Sequence, residues 1–332
     1  MNFDLSDEQK MLAEQARGLL AERSPYDHLR KLIDSGAEWD ESLWRELGEM
    51  GFLGANIPEE FGGLGMSEID LGVISEELGR VNAATPFFSS IVLAADAIRL
   101  AGSDAQKAKW LPICARGEGA WAMGYSEPGA GSDLASLNTR AVKEGDHYRI
   151  NGSKMWTSDA TLCDYIFVLV RTSPEKPKHE GISLMLVDMR QPGVTVSPIQ
   201  LISGASPFCE THFSDAVVPL EDVIGGIDRG WTVGKRLLQF ERSTHAGINI
   251  SGSQGGRSEK SQMPALVARY VSSQSGQLTD PALRRWLTEF EMNSHAQRIT
   301  QRRAIEELSS RAPGFTSSAV KLTNALNIQD GD

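Results

Sequence analysis

The chain has 332 residues, 40% of them hydrophobic and 23% charged, with a formal net charge of −11 at neutral pH. That length points to about two domains and supplies enough apolar residues for a sizeable core, while the acidity, with no basic stripe, excludes the electrostatics of a nucleic-acid binder and disfavours anionic membrane surfaces. The three cysteines, Cys114, Cys163 and Cys209, show no CxxC spacing and the six histidines no HExxH pattern, so neither structural zinc nor a protein-bound catalytic metal is supported and a reduced compartment is expected.

The first residues lack the basic start and apolar middle of a signal peptide and are too acidic for a transit peptide. The longest apolar runs, such as Tyr165–Val170, are strand-sized rather than membrane-sized. The expectation is a cytoplasmic protein. Residues 1–120 read as helical. Ser6 with Gln9 is a capping-box pattern, after which Leu12, Ala16, Leu19 and Leu20 share a helical face. Trp39–Met50 is a second amphipathic stretch, ending at Gly51. Asn56–Gly65 reads as a loop, and helical patterns resume over Ile69–Leu78 and Ile91–Leu100.

The pattern changes near Trp121. Tyr148 and Ile150 alternate with polar residues, and Asn151-Gly152 predicts a hairpin turn. Asp164–Arg171, Gly181–Asp188 and Val194–Ile199 are strand candidates, the last two separated by a turn at Pro192-Gly193. Helix returns over Trp231–Ala246. The Gly- and Ser-rich stretch Ser251–Ser261 predicts mobility, and Pro281–Ile305 and Ser317–Ile328 are further helical patterns. The resulting fold class is α+β: an N-terminal helical domain (1–120), a central β domain (121–228) and a C-terminal helical domain (229–332).

Two segments carry chemistry. Ser126-Glu127-Pro128-Gly129-Ala130-Gly131-Ser132-Asp133 predicts a tight loop whose exposed amides can approach a phosphate, although glycine count alone favours an ordinary surface turn. Asn151-Gly152-Ser153-Lys154-Met155-Trp156-Thr157-Ser158 sets an indole before two hydroxyls. A tryptophan there can stack on a planar ring or simply fill the core.

Taken together, the two segments resemble the acyl-CoA dehydrogenase family, in which an (S/T)EPxAGSD loop and a KxWI(T/S)-like strand bracket the flavin. Ile57-Pro58-Glu59-Glu60-Phe61-Gly62-Gly63-Leu64-Gly65 resembles the family's N-terminal-domain loop, and Phe213-Ser214-Asp215-Ala216-Val217-Val218-Pro219 its F-x-D-V-x-V-P stretch. The resemblance implies a helical–β–helical fold and bound FAD. It implies α,β-dehydrogenation of an acyl-CoA thioester, homo- or heterotetramer assembly, and electron transfer to an electron-transfer flavoprotein. By position, Met123, Tyr125 and Ser126 are expected at the flavin's pyrimidine end, Gly131 and Ser132 near the pyrophosphate and the CoA arm, and Trp156 against the ring. Thr157 and Ser158 are expected to offer an amide and a hydroxyl at the redox edge. Met123 stands where the family often has an aromatic residue and Thr157 where it often has Ile. No R-x-x-F-G motif is evident between Ser253 and Asp280.

The reaction needs a carboxylate base. Many family members place it near their C-terminus, a position with no counterpart in this sequence. A minority, resembling isovaleryl-CoA and steroid-type enzymes, place it in the first helix after the β domain, just before an arginine. Gln239-Phe240-Glu241-Arg242 matches that arrangement, which makes Glu241 the expected base and Gln239, Phe240, Arg242 and Ser132 the expected substrate contacts. Gly234, Leu237, Leu238 and Glu241 share a helical face. The competing reading pairs Glu241 with Lys235 or Arg236 on a solvated surface. His245 and Glu210 are candidates for a relay and a second acid, with surface roles as the plainer reading. Two other readings keep the fold: a flavin oxidase or monooxygenase, and a non-catalytic subunit of a heteromeric dehydrogenase. A bulky, branched or steroid acyl group fits the resemblance to the steroid-type subgroup.

Overall fold

The computed structural model describes residues 5–245, 263–271, 278–309 and 316–331, the side chains of residues 239–245, 298, 301, 302, 304–309, 317, 318, 328, 330 and 331 excepted. The chain falls into two compact units. One comprises Gly18–Leu71 and Leu78–Leu238, the other Met1–Arg17, Gly72–Glu77 and Gln239–Asp332.

The N-terminal part is helical, and its helices start where the sequence places caps. Helix α1 (Asp7–Arg23) begins at Ser6, whose Oγ accepts from Gln9 N at 3.2 Å while Gln9 Oε1 accepts from Ser6 N at 3.0 Å. Leu12, Ala13, Ala16 and Leu20 form its buried face, and Leu19 is half-buried. After α2 (Tyr26–Ser35), helix α3 (Glu41–Glu49) is capped by Asp40, which accepts from the Ser42 and Leu43 amides, and buries Leu43, Trp44 and Leu47. Gly51, at φ 80°, ends that segment. The Asn56–Gly65 loop contains one short 3-10 turn at Glu59–Phe61. Helix α4 (Glu68–Arg80) opens on a reciprocal Ser67–Asp70 capping box. The stretch expected as helix from Ile91 starts earlier and winds differently: Phe88–Ala95 is π-helical before α5 (Asp96–Ala101) and α6 (Asp104–Ala115). Within the π-helical turns, Ser90 Oγ accepts from Trp121 N at 3.0 Å, joining this helix to the first strand.

The central sheet contains β1 (Trp121–Gly124), β2 (Arg140–Glu144), β3 (His147–Ser158), β4 (Tyr165–Arg171), β5 (Ile182–Asp188), β6 (Val194–Ile199), β7 (Phe208–Pro219) and β8 (Val223–Ile224). Their order is β6-β7-β3-β2-β4-β5-β8, with β1 alongside β4. The pairs of β4 with β1 and with β2 are parallel and the others antiparallel. Ile166 through Val170 are all 0% exposed, so β4 is covered on both faces, as a continuous apolar run requires. Pro198 lies in β6, the edge strand, where a missing N–H costs no ladder bond.

One turn is elsewhere than predicted. Asn151-Gly152 does not reverse the chain; β3 runs straight through it. The reversal between β2 and β3 is at Gly145-Asp146, flanked by the Glu144–His147 pair, with Gly145 at φ 63°. Asn151-Gly152 is instead an irregularity in the pairing with β7, between Ile150 and Gly152.

Helix α7 (Gly230–His245) follows the sheet, and α8 (Met263–Tyr270), α9 (Pro281–Ser309) and α10 (Thr316–Gly331) complete the described elements. Gln297 of α9 donates to Val320 O at 3.0 Å and accepts from the Thr323 hydroxyl, fixing α9 to α10. The Ser251–Ser261 stretch lies outside the described residues. No helix among the described residues is long and apolar enough to cross a membrane.

Candidate active site

Strand β1 delivers the chain into the SEPGAGSD loop under tight steric control. A Cβ at Gly124 would lie 2.8 Å from Ile166 Cδ1, so a larger residue would have to displace that side chain for the strand to lie against β4 here. Tyr125 follows, buried edge-on to Phe167 at 6.0 Å between ring centroids. Glu127 and Ala130 then exchange both main-chain hydrogen bonds, at 3.1 and 3.0 Å, closing a turn around Pro128-Gly129. Beyond it, Gly131, Ser132 and Asp133 are exposed, and Asp133 pairs with Lys178 at 2.8 Å.

The loop is stapled from beneath. Lys154 Nζ, on β3, donates to Glu127 Oε1 at 2.7 Å and to Tyr125 O at 3.1 Å. Glu127 also accepts from the amides of Asn138 (2.6 Å) and Thr139 (2.9 Å). The Lys154 side chain is fully buried. Burial pushes its ammonium down to about 8, against the opposing pull of Glu127. For Glu127, burial acts to raise the carboxyl, but the charge of Lys154 and the three donated hydrogen bonds outweigh it and hold the group below the ordinary carboxylate value. Arg171 adds a second brace, donating to Ala135 O at 2.6 Å and Leu137 O at 3.3 Å.

Strand β3 changes register immediately after Lys154. Lys154 faces Thr211 and Thr157 faces Cys209, so three steps along β3 match two along β7 and one residue is extra. Lys154 and Thr157 therefore both point inward, each 0% exposed, although they are three positions apart. Trp156, at φ 62°, is thrown outward and is 53% exposed, with Phe208 edge-on at 6.0 Å. Met155 N donates to Ser126 O at 2.9 Å, so bulge and loop are hydrogen-bonded neighbours.

The structure thus brings together Tyr125, Ser126 and the Trp156 strand. Met123 is half-buried in β1, and Ser158 is exposed. The Thr157 hydroxyl faces the sheet interior and accepts from Thr211 Oγ1 at 3.3 Å, which leaves only the main chain of residue 157 for a ligand. Lys154 and Glu127 sit inside the two quoted motifs, yet sequence reasoning gave them no role. The available signal was a lysine in a strand whose alternate residues, Tyr148 and Ile150, are inward-facing. Glu210, on β7, is 3.4 Å from His212 Nε2 in a half-exposed pair.

Helix α7 approaches through small residues. A Cβ at Gly230 would be 2.3 Å from the Ser183 carbonyl carbon, and at Gly234 3.3 Å from Leu169 Cδ1 and 3.5 Å from the Tyr125 hydroxyl. Gly234 and Leu237 are buried while Lys235 and Arg236 are exposed. The backbone of Glu241 falls within this helix, on the face that Gly234 and Leu237 begin. The side chains of Gln239, Phe240, Glu241, Arg242 and His245 lie outside the described residues. Among the described residues, no group of three or more His, Cys, Asp or Glu side chains is arranged to hold a metal ion.

Two family descriptions match the chain: "Acyl-CoA dehydrogenase, N-terminal domain" over residues 6–118 and "Acyl-CoA dehydrogenase, middle domain" over residues 122–216. The chain is 37% identical over 243 residues to acyl-CoA dehydrogenase FadE29 of Mycobacterium tuberculosis, covering 73% of this chain and 62% of that protein. It is 34% identical over 303 residues to acyl-CoA dehydrogenase IpdE1 of the same organism, covering 88% of this chain and 77% of that protein. Among solved structures, the Tcur3481-Tcur3483 steroid ACAD superposes with a TM-score of 0.81 at 32% identity, covering 99% of this chain and 84% of that chain. The match to FadE29 spans less than two thirds of that relative's length.

Proposed function

The chain belongs to the acyl-CoA dehydrogenase family, and from that premise we propose that it binds FAD and desaturates an acyl-CoA thioester between its α- and β-carbons. The observation that carries the reading is the outward-facing Trp156 indole, held on a bulge that is hydrogen-bonded to the SEPGAGSD loop.

The residues present fit such a cofactor. The indole offers a flat apolar surface at a site where a purely structural tryptophan would be covered. A Cβ built at Gly129 or Gly131 meets nothing within 4 Å, so the loop is open to a close-approaching group. The hydroxyls of Ser126, Ser132 and Ser158 make no hydrogen bond to another described residue and are available to a ligand. In this reading Met123, Tyr125 and Ser126 border the pyrimidine end of the ring, Trp156 stacks on it, and the main chain of Thr157 with Ser158 meets its redox edge. Gly131 and Ser132 lie toward the pyrophosphate and the CoA arm.

Glu241 takes the α-proton. A carboxylate suits that task when apolar surroundings raise its pKa toward neutrality, and its helical face starts with buried residues. Gln239, Phe240 and Arg242 border the acyl group. A main-chain amide donating to the thioester oxygen stabilises the charge that develops as the proton leaves. Bound FAD would supply the acceptor for the hydride leaving the β-carbon.

Electrons then pass to an electron-transfer flavoprotein. The similarity to the Tcur3481-Tcur3483 steroid ACAD supports a bulky or branched acyl group; homo- or heterotetramer assembly and a cytoplasmic location complete the reading.

The test is a visible absorption spectrum of the purified chain, alone and co-expressed with a homologous partner, followed by anaerobic titration with acyl-CoA thioesters of graded bulk. A flavin spectrum that bleaches on substrate supports the reading. A colourless protein in both preparations overturns it. Oxygen uptake with H₂O₂ release in the absence of another acceptor replaces the dehydrogenase by an oxidase.

A further inference from the structure

Trp156 sits at φ 62°, a left-handed conformation that costs a bulky L residue about 1–2 kcal/mol. The surrounding contacts have to hold it there. The two residues before it are tied to the SEPGAGSD loop at three points: Met155 N to Ser126 O, and Lys154 Nζ to both Tyr125 O and Glu127 Oε1. Glu127 is itself fixed by the amides of Asn138 and Thr139, just before β2. The clamp acts where the extra residue enters β3.

A buried ion pair adds little net stability over apolar residues of the same volume, because desolvation offsets the attraction. What Lys154 and Glu127 add is direction: four donor–acceptor contacts with defined geometry, made where the strand departs from regular pairing. We propose that Lys154 is a positioning residue for the cofactor site, fixing through its buried pair with Glu127 the bulge that presents the Trp156 indole to the flavin. This rests on the flavin reading given above.

The experiment is a double-mutant cycle of Lys154→Met and Trp156→Ala, read as the FAD dissociation constant and as the emission of the bound flavin, which a stacked indole quenches. Thermal unfolding of the FAD-free chains checks that each variant folds. Lys154→Met alone is expected to weaken FAD by about tenfold and to raise the bound flavin's emission. With Trp156→Ala already in place, the same change is expected to alter the constant by less than about twofold, since the two residues act as a unit. Additive effects, or wild-type affinity in Lys154→Met, overturn the proposal and leave the flavin reading intact. If Lys154→Met does not fold, the cycle is run with Lys154→Met plus Glu127→Leu, which leaves no buried charge. Failure of both to fold assigns the pair to stability and overturns the positioning role. A wild-type chain that binds no FAD overturns both readings.

Discussion

A Cβ placed on Gly152 would lie 2.7 Å from Thr139 Cα and 2.7 Å from Thr139 Oγ1. The two residues cross where β2 begins and β3 shifts register against β7, and Gly152 is held at φ 145°. Gly152→Ala therefore meets both a steric clash with main chain and an unfavourable dihedral. Its expected cost is about 2 kcal/mol in urea unfolding of the FAD-free protein. An alanine variant as stable as wild type would mean that β2 moves aside freely.

Trp156→Ala is expected to weaken FAD binding by about tenfold, or ~1.4 kcal/mol, by removing the stacking surface. The unfolding midpoint of the FAD-free chain should be nearly unchanged, because the side chain is already 53% exposed. Fluorescence titration and thermal unfolding on the same samples separate the two effects. A lowered midpoint with unchanged affinity would return the tryptophan to a structural role.

Glu241→Gln removes the proposed base while keeping the side chain's shape and polarity. Flavin reduction by the best acyl-CoA is expected to slow by about 10²–10⁴-fold, with FAD binding retained. Stopped-flow bleaching of the visible band measures it. Wild-type bleaching rates in the variant place the base elsewhere.

Glu127 gives stability a dependence on pH whose sign follows from its environment. Its carboxyl is held below the ordinary value of 4.5, so the folded state binds the proton less readily than the unfolded state. The stabilisation is complete above that ordinary value and is lost as pH falls through the lower folded value. Glu127→Gln is expected to cost about 3 kcal/mol at pH 7, since it strands the Lys154 charge. The gap to wild type should narrow below pH ~4.5. Urea unfolding of both proteins at stepped pH reads this directly, and a gap that is constant from pH 7 to pH 3 contradicts it.

Much of the fold can be read without coordinates. The Ser6–Gln9 capping box forms as written, the run Asp164–Arg171 becomes the strand Tyr165–Arg171, and Val194–Ile199 is a strand to the residue. These features depend on neighbours close in sequence or on the choice between burial and exposure, which composition alone encodes. The loop at Ser126–Asp133 and the indole at position 156 were legible as motifs for the same reason: Gly, Pro and Trp have few substitutes in those local geometries.

Other features were settled by partners distant in sequence. Asn151-Gly152 signals a permissive backbone, but whether the chain reverses or bulges there depends on β7, some 60 residues away, and on Gly145-Asp146 supplying the reversal first. Lys154 shares the inward parity of Tyr148 and Ile150 on β3, but its partner Glu127, 27 positions earlier, is set by the fold. The sequence by itself determined which segments are helix or strand and which residues have the chemistry for the proposed flavin site. Only the tertiary structure decided which way each side chain points. Side-chain direction in a sheet inverts with a single-residue shift in pairing, and that shift is set by non-local hydrogen bonds that no local pattern contains.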